Sequence, residues 1–282
     1  MIIYTCITNN YVDLYCDLPS GASYHVYGIV DPPSPWIGHS IDDLECPIRS
    51  SRVPKIKCPY DEPSVYIDGS KLHTINDDFI RLSEEIISNQ GTSIMQHPHR
   101  HTYLEECAEY INRGFCTEEE VISITLKAKE SGYNFSKYYS PLGTVIWRRG
   151  DEKDLNESWW KWYMIGGKRD QLSFDIAIQE SKINITYLPC RETIDRWSDA
   201  NPIDGVWWKN KGGKYGGELK DPNDTVDKLA EITKLSKRMR YRAAILTEPG
   251  FDLIWLFGDQ SKYFRKNYPH LHMVHGLYQR WR

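Results

Sequence analysis

Over the first two thirds of the chain, short apolar runs alternate with stretches of helical periodicity. Residues 2–8 (IIYTCIT) form a nearly continuous β-favouring run closed by Asn9-Asn10, which reads as a first, central strand buried on both faces. Residues 24–30 (YHVYGIV) form a second, stopped by Asp31-Pro32-Pro33. Further strands are expected at 65–67, 92–96, 143–147 and 184–188. Between them the apolar spacing turns helical. In 77–88, Phe79, Ile80, Leu82, Ile86 and Ile87 share one face. A helix is expected at 103–112, closed by Arg113-Gly114. Another runs over 117–131, with Thr117 and Glu120 as a capping box and Gly132 as a left-handed cap. Residues 157–163 start a helix that Gly166-Gly167 breaks, and Arg169-Asp170-Gln171 opens the next. The alternation predicts an α/β fold.

Two segments break the pattern. Residues 32–63 hold many of the prolines together with Arg49, Arg52, Lys55 and Lys57, and read as an irregular connection, either facing a ligand or merely solvated. Beyond Pro189 the composition changes. Gly212, Gly213, Gly216 and Gly217 surround a loop with Trp207-Trp208, and a helix over 225–242 turns basic at Lys234, Lys237, Arg238, Arg240 and Arg242. A solvated cationic face at a helix C-terminus explains that run equally well. Residues 251–257 are apolar enough for one more buried segment.

At 282 residues and 40% hydrophobic, the chain can fill one large domain, or one domain with a smaller appendage. A net charge of −4 demands neither nucleic acid nor a membrane. Ten Trp and 19 Tyr suit a protein that grips a ring-shaped ligand, although most aromatics belong to cores. Seven scattered cysteines without a C-x-x-C pair suggest a reducing compartment rather than a disulfide framework. The N-terminus lacks a signal-like pattern and no run approaches a membrane span, so a cytoplasmic location without a membrane partner is expected.

The chemistry centres on residues 65–70 (VYIDGS), where a short strand delivers Asp68 to a turn. Ligands of α/β proteins bind at the carboxyl ends of strands, and a carboxylate there can hold a divalent cation that in turn holds a diphosphate. The bland alternative is an Asp that caps its own turn. His97, His99 and His101 alternate along an extended segment whose Pro98 bars a helix, so they do not converge as a metal triad.

Four blocks, in order, resemble the glycosyltransferase-like family that includes plant mucilage and pectin-related proteins and many bacterial and phage proteins. They are residues 4–14 (YTCITNNYVDL), 65–70, His97-Pro98-x-Arg100 with 103–106 (YLEE), and Trp159-Trp160 with 169–174 (RDQLSF). The resemblance implies a GT-A-type fold: a Rossmann-like mixed sheet flanked by helices over 1–190. Residues 191–282 would form a C-terminal extension that completes the site or binds the acceptor. It places Thr5, Asn9 and Tyr11 near the nucleotide, and Asp68 where such enzymes carry an acidic D-x-D motif. Ser70 stands at the third position, so Asp68 and Ser70, with His275 near the C-terminus, are the implied contacts to Mn2+ or Mg2+.

The expected reaction is transfer of a sugar from a nucleotide sugar, taken as UDP-linked, to a hydroxyl acceptor. The departing diphosphate gathers charge that a metal, Lys71, Arg100 or Arg169 would meet. Asp170 or His97 would take the acceptor's proton; Asp170 is favoured because Arg169 beside it would hold it ionised. Trp159 and Trp160 could stack on a sugar or base, or simply pack. The acceptor is a glycan or, in a phage-infected bacterial cytoplasm, a hydroxymethylated base in double-stranded DNA, gripped by 209–214 and the basic run 234–242. A non-catalytic nucleotide-sugar-binding module is the alternative class.

Overall fold

The computed structural model describes residues 1–198, apart from 10, 11, 43, 45, 99, 113, 167 and 168, together with residues 223–235. Tyr11, the loop at 209–214, most of the basic run, residues 251–257 and His275 therefore lie outside the described residues. The strands are β1 (Ile2–Cys6), β2 (Ser23–Tyr27), β3 (Trp36–His39), β4 (Ser64–Ile67), β5 (Ser93–Gln96), β6 (Pro141–Arg148) and β7 (Thr186–Leu188). They make one mixed sheet in the order β3-β2-β1-β4-β6-β5-β7, in which β6 runs antiparallel to both its neighbours. The helices are α1 (Pro47–Lys57), α2 (Asp77–Gln90), α3 (Tyr103–Asn112), α4 (Glu118–Glu130), α5 (Lys153–Ile165), α6 (Gln171–Ser181), α7 (Cys190–Ile194) and α8 (Asn223–Thr233). The fold is α/β and Rossmann-like.

Strand alternation divides the core in two. Ile3, Val65 and Trp147 point to the layer of α2 and α7, where Phe79, Ile80, Leu82, Ile86 and Ile194 wait. Tyr4, Tyr66 and Ile146 point to the opposite layer, filled by α3 to α6 through Tyr103, Leu104, Ile124, Trp159, Leu172 and Phe174. The capping box forms as expected, with Thr117 accepting from the Glu120 N–H.

The segment 32–63 departs from expectation. It contains both a strand, β3, and a helix, α1. Pro47 sits at the start of α1, where its missing N–H costs nothing. Pro54 lies inside the helix, against the usual rule. The buried face of α1 is Ser50, Ser51, Pro54, Lys55 and Ile56, so it carries almost no apolar periodicity. Gly28, with φ +90°, lets β2 pass β1: a Cβ there would stand 2.3 Å from the Ile7 carbonyl oxygen.

Chain order places β2 and β3 on one side of β1, and α1 then carries the chain back across to β4 on the other. The sheet's switch point thus lies between the carboxyl ends of β1 and β4, where open α/β sheets bind ligands. No helix among the described residues is long and apolar enough to cross a membrane.

Candidate functional site at the switch point

Asp68 ends β4 at the switch point. Its N–H donates to the Thr144 carbonyl at 2.8 Å and its own carbonyl accepts from Lys71 N at 2.8 Å, so its backbone is fixed between β6 and the following 3-10 turn. Its side chain caps nothing. Instead Oδ1 accepts from the Tyr66 hydroxyl at 2.9 Å, and the side chain keeps 25% exposure. Tyr66 and Asp68 sit two residues apart, on the same side of the strand.

Above this acid α1 delivers two cations from one face, three residues apart. Lys55 Nζ stands 2.6 Å from Asp170 Oδ2 and 3.7 Å from Asp68 Oδ1, and lies 5.2 Å from the Tyr66 ring centroid. Arg52 Nε stands 3.5 Å from Asp170 Oδ1. Arg52 also reaches electrostatically to Cys6 at the end of β1, where burial nonetheless pushes the thiol up to about 12. That places the cluster across β1 and β4 and makes Cys6 an unreactive thiol.

Asp170 is buried immediately before α6, and its side chain makes no cap either. Burial works to raise its pKa, yet Lys55 first and Arg52 next outweigh it and hold the carboxyl well below the usual carboxylate range. Arg169, expected to be the residue that keeps Asp170 ionised, contributes least of the three cations. Its guanidinium lies 3.7 Å over the Phe115 ring. The Asp170 carbonyl accepts from Trp159 Nε1 at 3.0 Å and Ser173 Oγ at 2.9 Å. Trp159 is buried, 4.4 Å edge-on to Phe174, so this ring packs and anchors Asp170 rather than stacking on a ligand. Trp160 is half-buried with the Lys57 ammonium 4.7 Å over its ring. Gln171 Nε2 ties the start of α6 to the Pro141 carbonyl at 2.9 Å, setting Asp170 beside the start of β6.

Lys71, in the turn after Asp68, is buried, and burial lowers its pKa to about 8 against the pull of Asp68. Ser70 is half-buried in the same turn. Asn9 is exposed and adopts φ 54°, in the left-handed region, just past β1. Thr5 is fully buried, on the same face of β1 as Ile3 and Ile7, so it braces the strand and offers no surface to a nucleotide. Arg100 is not poised for a phosphate: Nε lies 2.8 Å from Glu106 and Nη1 lies 3.4 Å from Glu109, both buried acids. His97 is buried at the end of β5, with Nδ1 accepting from Arg100 N at 3.1 Å, and β6 separates β5 from β4.

The residues missed from the sequence as members of the site are thus Arg52 and Lys55. The signal was present, as basic side chains at i and i+3, but the prolines around them read as loop. Lys55, Arg52, Lys71 and Arg169 thus gather around the carboxylates of Asp68 and Asp170 on this edge of the sheet. The described residues fit a divalent cation poorly. Asp68 and Ser70 are the donors at hand, Asp170 is taken by Lys55, and an ammonium 3.7 Å from Asp68 repels a second cation. Among the described residues no group of three or more His, Cys, Asp or Glu side chains converges. A shallow depression lined by Ile2, Ser23, His25, Tyr60 and Glu62 lies at the amino ends of β1 and β2, away from this chemistry.

Comparison with protein-family models, with curated proteins and with solved structures finds no match to this chain.

Proposed function

We propose that this protein is a GT-A-type glycosyltransferase that moves a sugar from a UDP-linked donor to a hydroxyl acceptor. One observation carries the reading: a partly exposed carboxylate at the sheet's switch point, unused as a cap, stands beside a cation-rich cluster. An anionic ligand bound there meets Lys55, Arg52 and Lys71, and a leaving diphosphate needs such partners as its charge grows. Asn9 borders the same edge from β1. The mixed sheet with a reversed β6 is compatible with the GT-A assignment.

The depressed pKa of Asp170 makes it a weak proton acceptor while Lys55 holds it. If Lys55 turns toward a bound diphosphate, Asp170 loses its chief neutralising partner and its basicity rises. Base strength and donor binding are then coupled through one ammonium.

The test is binding of UDP by thermal shift, followed by hydrolysis and transfer from UDP-sugars, in the full chain and in Asp68→Ala. UDP at about 100 times its Kd should add about 2.7 kcal/mol of stability. Binding with turnover lost in Asp68→Ala supports the reading. Binding without turnover for any donor indicates a non-catalytic module, and absence of binding removes the nucleotide-sugar reading. Duplex DNA offered as acceptor, against a panel of glycans, decides the acceptor class.

A further inference from the structure

The Lys55 ammonium is shared by two acids. It sits between the carboxylates of Asp170 and Asp68, at 2.6 and 3.7 Å, with only 3% of the side chain exposed. We propose that Lys55 does the charge work of a divalent cation, so that this protein binds its nucleoside diphosphate group without a metal. The inference rests on the nucleotide-sugar reading above and names how that site neutralises its ligand.

Three features of the site lead here. First, the motif that would chelate a metal is short of acid, because Ser70 stands where a second carboxylate would raise cation affinity. Second, the ammonium's neighbours are themselves cationic. Arg52 lies 3.5 Å from the other oxygen of Asp170, and Lys71 follows in the turn beyond Asp68. A diphosphate arriving beside Asp68 therefore meets several cations at once. Third, the sequence leaves room for the ammonium. Gly143, in β6, faces it: a Cβ there would stand 3.0 Å from Lys55 Nζ and 3.7 Å from Asp170 Oδ2. Any side chain at 143 would crowd the ammonium.

In the transfer step the bond from the sugar carbon to the diphosphate oxygen breaks and its electron pair stays on that oxygen. The acceptor oxygen forms the new bond to carbon and gives its proton to Asp170, the acid beside Lys55. Lys55 forms no covalent bond. It moves from the carboxylate it holds toward the oxygen that gains charge.

The decisive measurement is UDP affinity of the full chain, by calorimetric titration, in EDTA and in Mn2+ or Mg2+. The expected result is the same affinity in all three, with Lys55→Met about tenfold weaker, equivalent to about 1.4 kcal/mol. Should Lys55→Met fail to fold with Asp170 left unpaired, Gly143→Ala sets a methyl 3.0 Å from Nζ and pushes the ammonium aside by a few tenths of an ångström, which should weaken UDP binding in EDTA. UDP binding that appears only with the metal overturns the inference and leaves the nucleotide reading standing. Unchanged UDP affinity in the folded Lys55 or Gly143 variant overturns it as well. Failure of UDP to bind under every condition overturns both together.

Discussion

Two buried charge clusters lie in the layer of α3 to α6, and they are built to opposite ends. In one, Arg100 is enclosed by Glu106 and Glu109, and Glu106, with no exposed side-chain surface, also accepts from Ser140 Oγ at 2.6 Å. Burial pushes the Glu106 carboxyl up even though Arg100 pulls it down. In the other, Lys55 and Arg52 face Asp170, and one member, Asp68, opens to solvent at the end of β4. The first cluster spends its charges on each other and locks α3 to the loop before β6. The second has one edge open to a ligand, at Asp68. Arg100 and Asp170 had looked alike as site candidates in the sequence; Asp170, unlike Arg100, shares its partner with a strand-end carboxylate that opens to solvent.

The sharpest way to break this contrast is Arg100→Met. It removes the cation that holds the buried Glu106 and should cost about 3–5 kcal/mol, read by urea denaturation, while the folded fraction keeps its UDP affinity. A loss of UDP binding without loss of stability would reverse the two assignments. Asp68→Ala should do the converse. Its side chain is partly exposed, so stability should change by less than about 1 kcal/mol, whereas transfer should fall by about a hundredfold.

Trp159→Phe probes the anchor beneath the open cluster. It removes the donor to the Asp170 carbonyl, which keeps Ser173 as a partner, so about 1 kcal/mol of stability should go. The readout that separates anchoring from mere packing is UDP affinity, which should weaken with it.

The smallest effect is a pH dependence. Lys71 titrates at about 8 in the folded protein, below its ordinary value of 10.5, because burial disfavours its charge. The unfolded chain therefore holds more protons between those two values, and this group's contribution to stability rises as pH climbs through that window. Ligand binding runs the other way, since only the ammonium attracts phosphate. UDP affinity should fall as pH passes about 8. A flat profile from neutral to alkaline pH would remove Lys71 from the site, and Lys71→Arg should flatten the profile while preserving affinity.

Much of the frame was legible because it rests on local rules. The run at 2–8, the periodicity of 77–88 and the capping box at Thr117 specify their elements within a few residues, and the structure contains each. Asp68 could be placed at a strand end from six letters. α1 could not be read, because the face it buries is Ser50, Ser51, Pro54 and Lys55 with a single isoleucine. Apolar periodicity registers transfer out of water, and a helix held by ion pairs to Asp170 and Asp68 leaves no such trace. Trp159 was ambiguous for a related reason: a tryptophan that stacks on a sugar and one that hydrogen-bonds a buried carbonyl are the same letter.

The order of residues carries the alternation of strands and helices, the turn that presents Asp68, and the stock of charged side chains on either side of it. Short-range propensity and periodicity suffice for those. Which charges meet depends on how the elements pack. The crossing of α1 from β3 to β4 brings Lys55 to Asp170 across more than a hundred residues of chain, and Gly143 leaves the space they share. Electrostatic pairing depends on distance through space, which sequence separation does not encode.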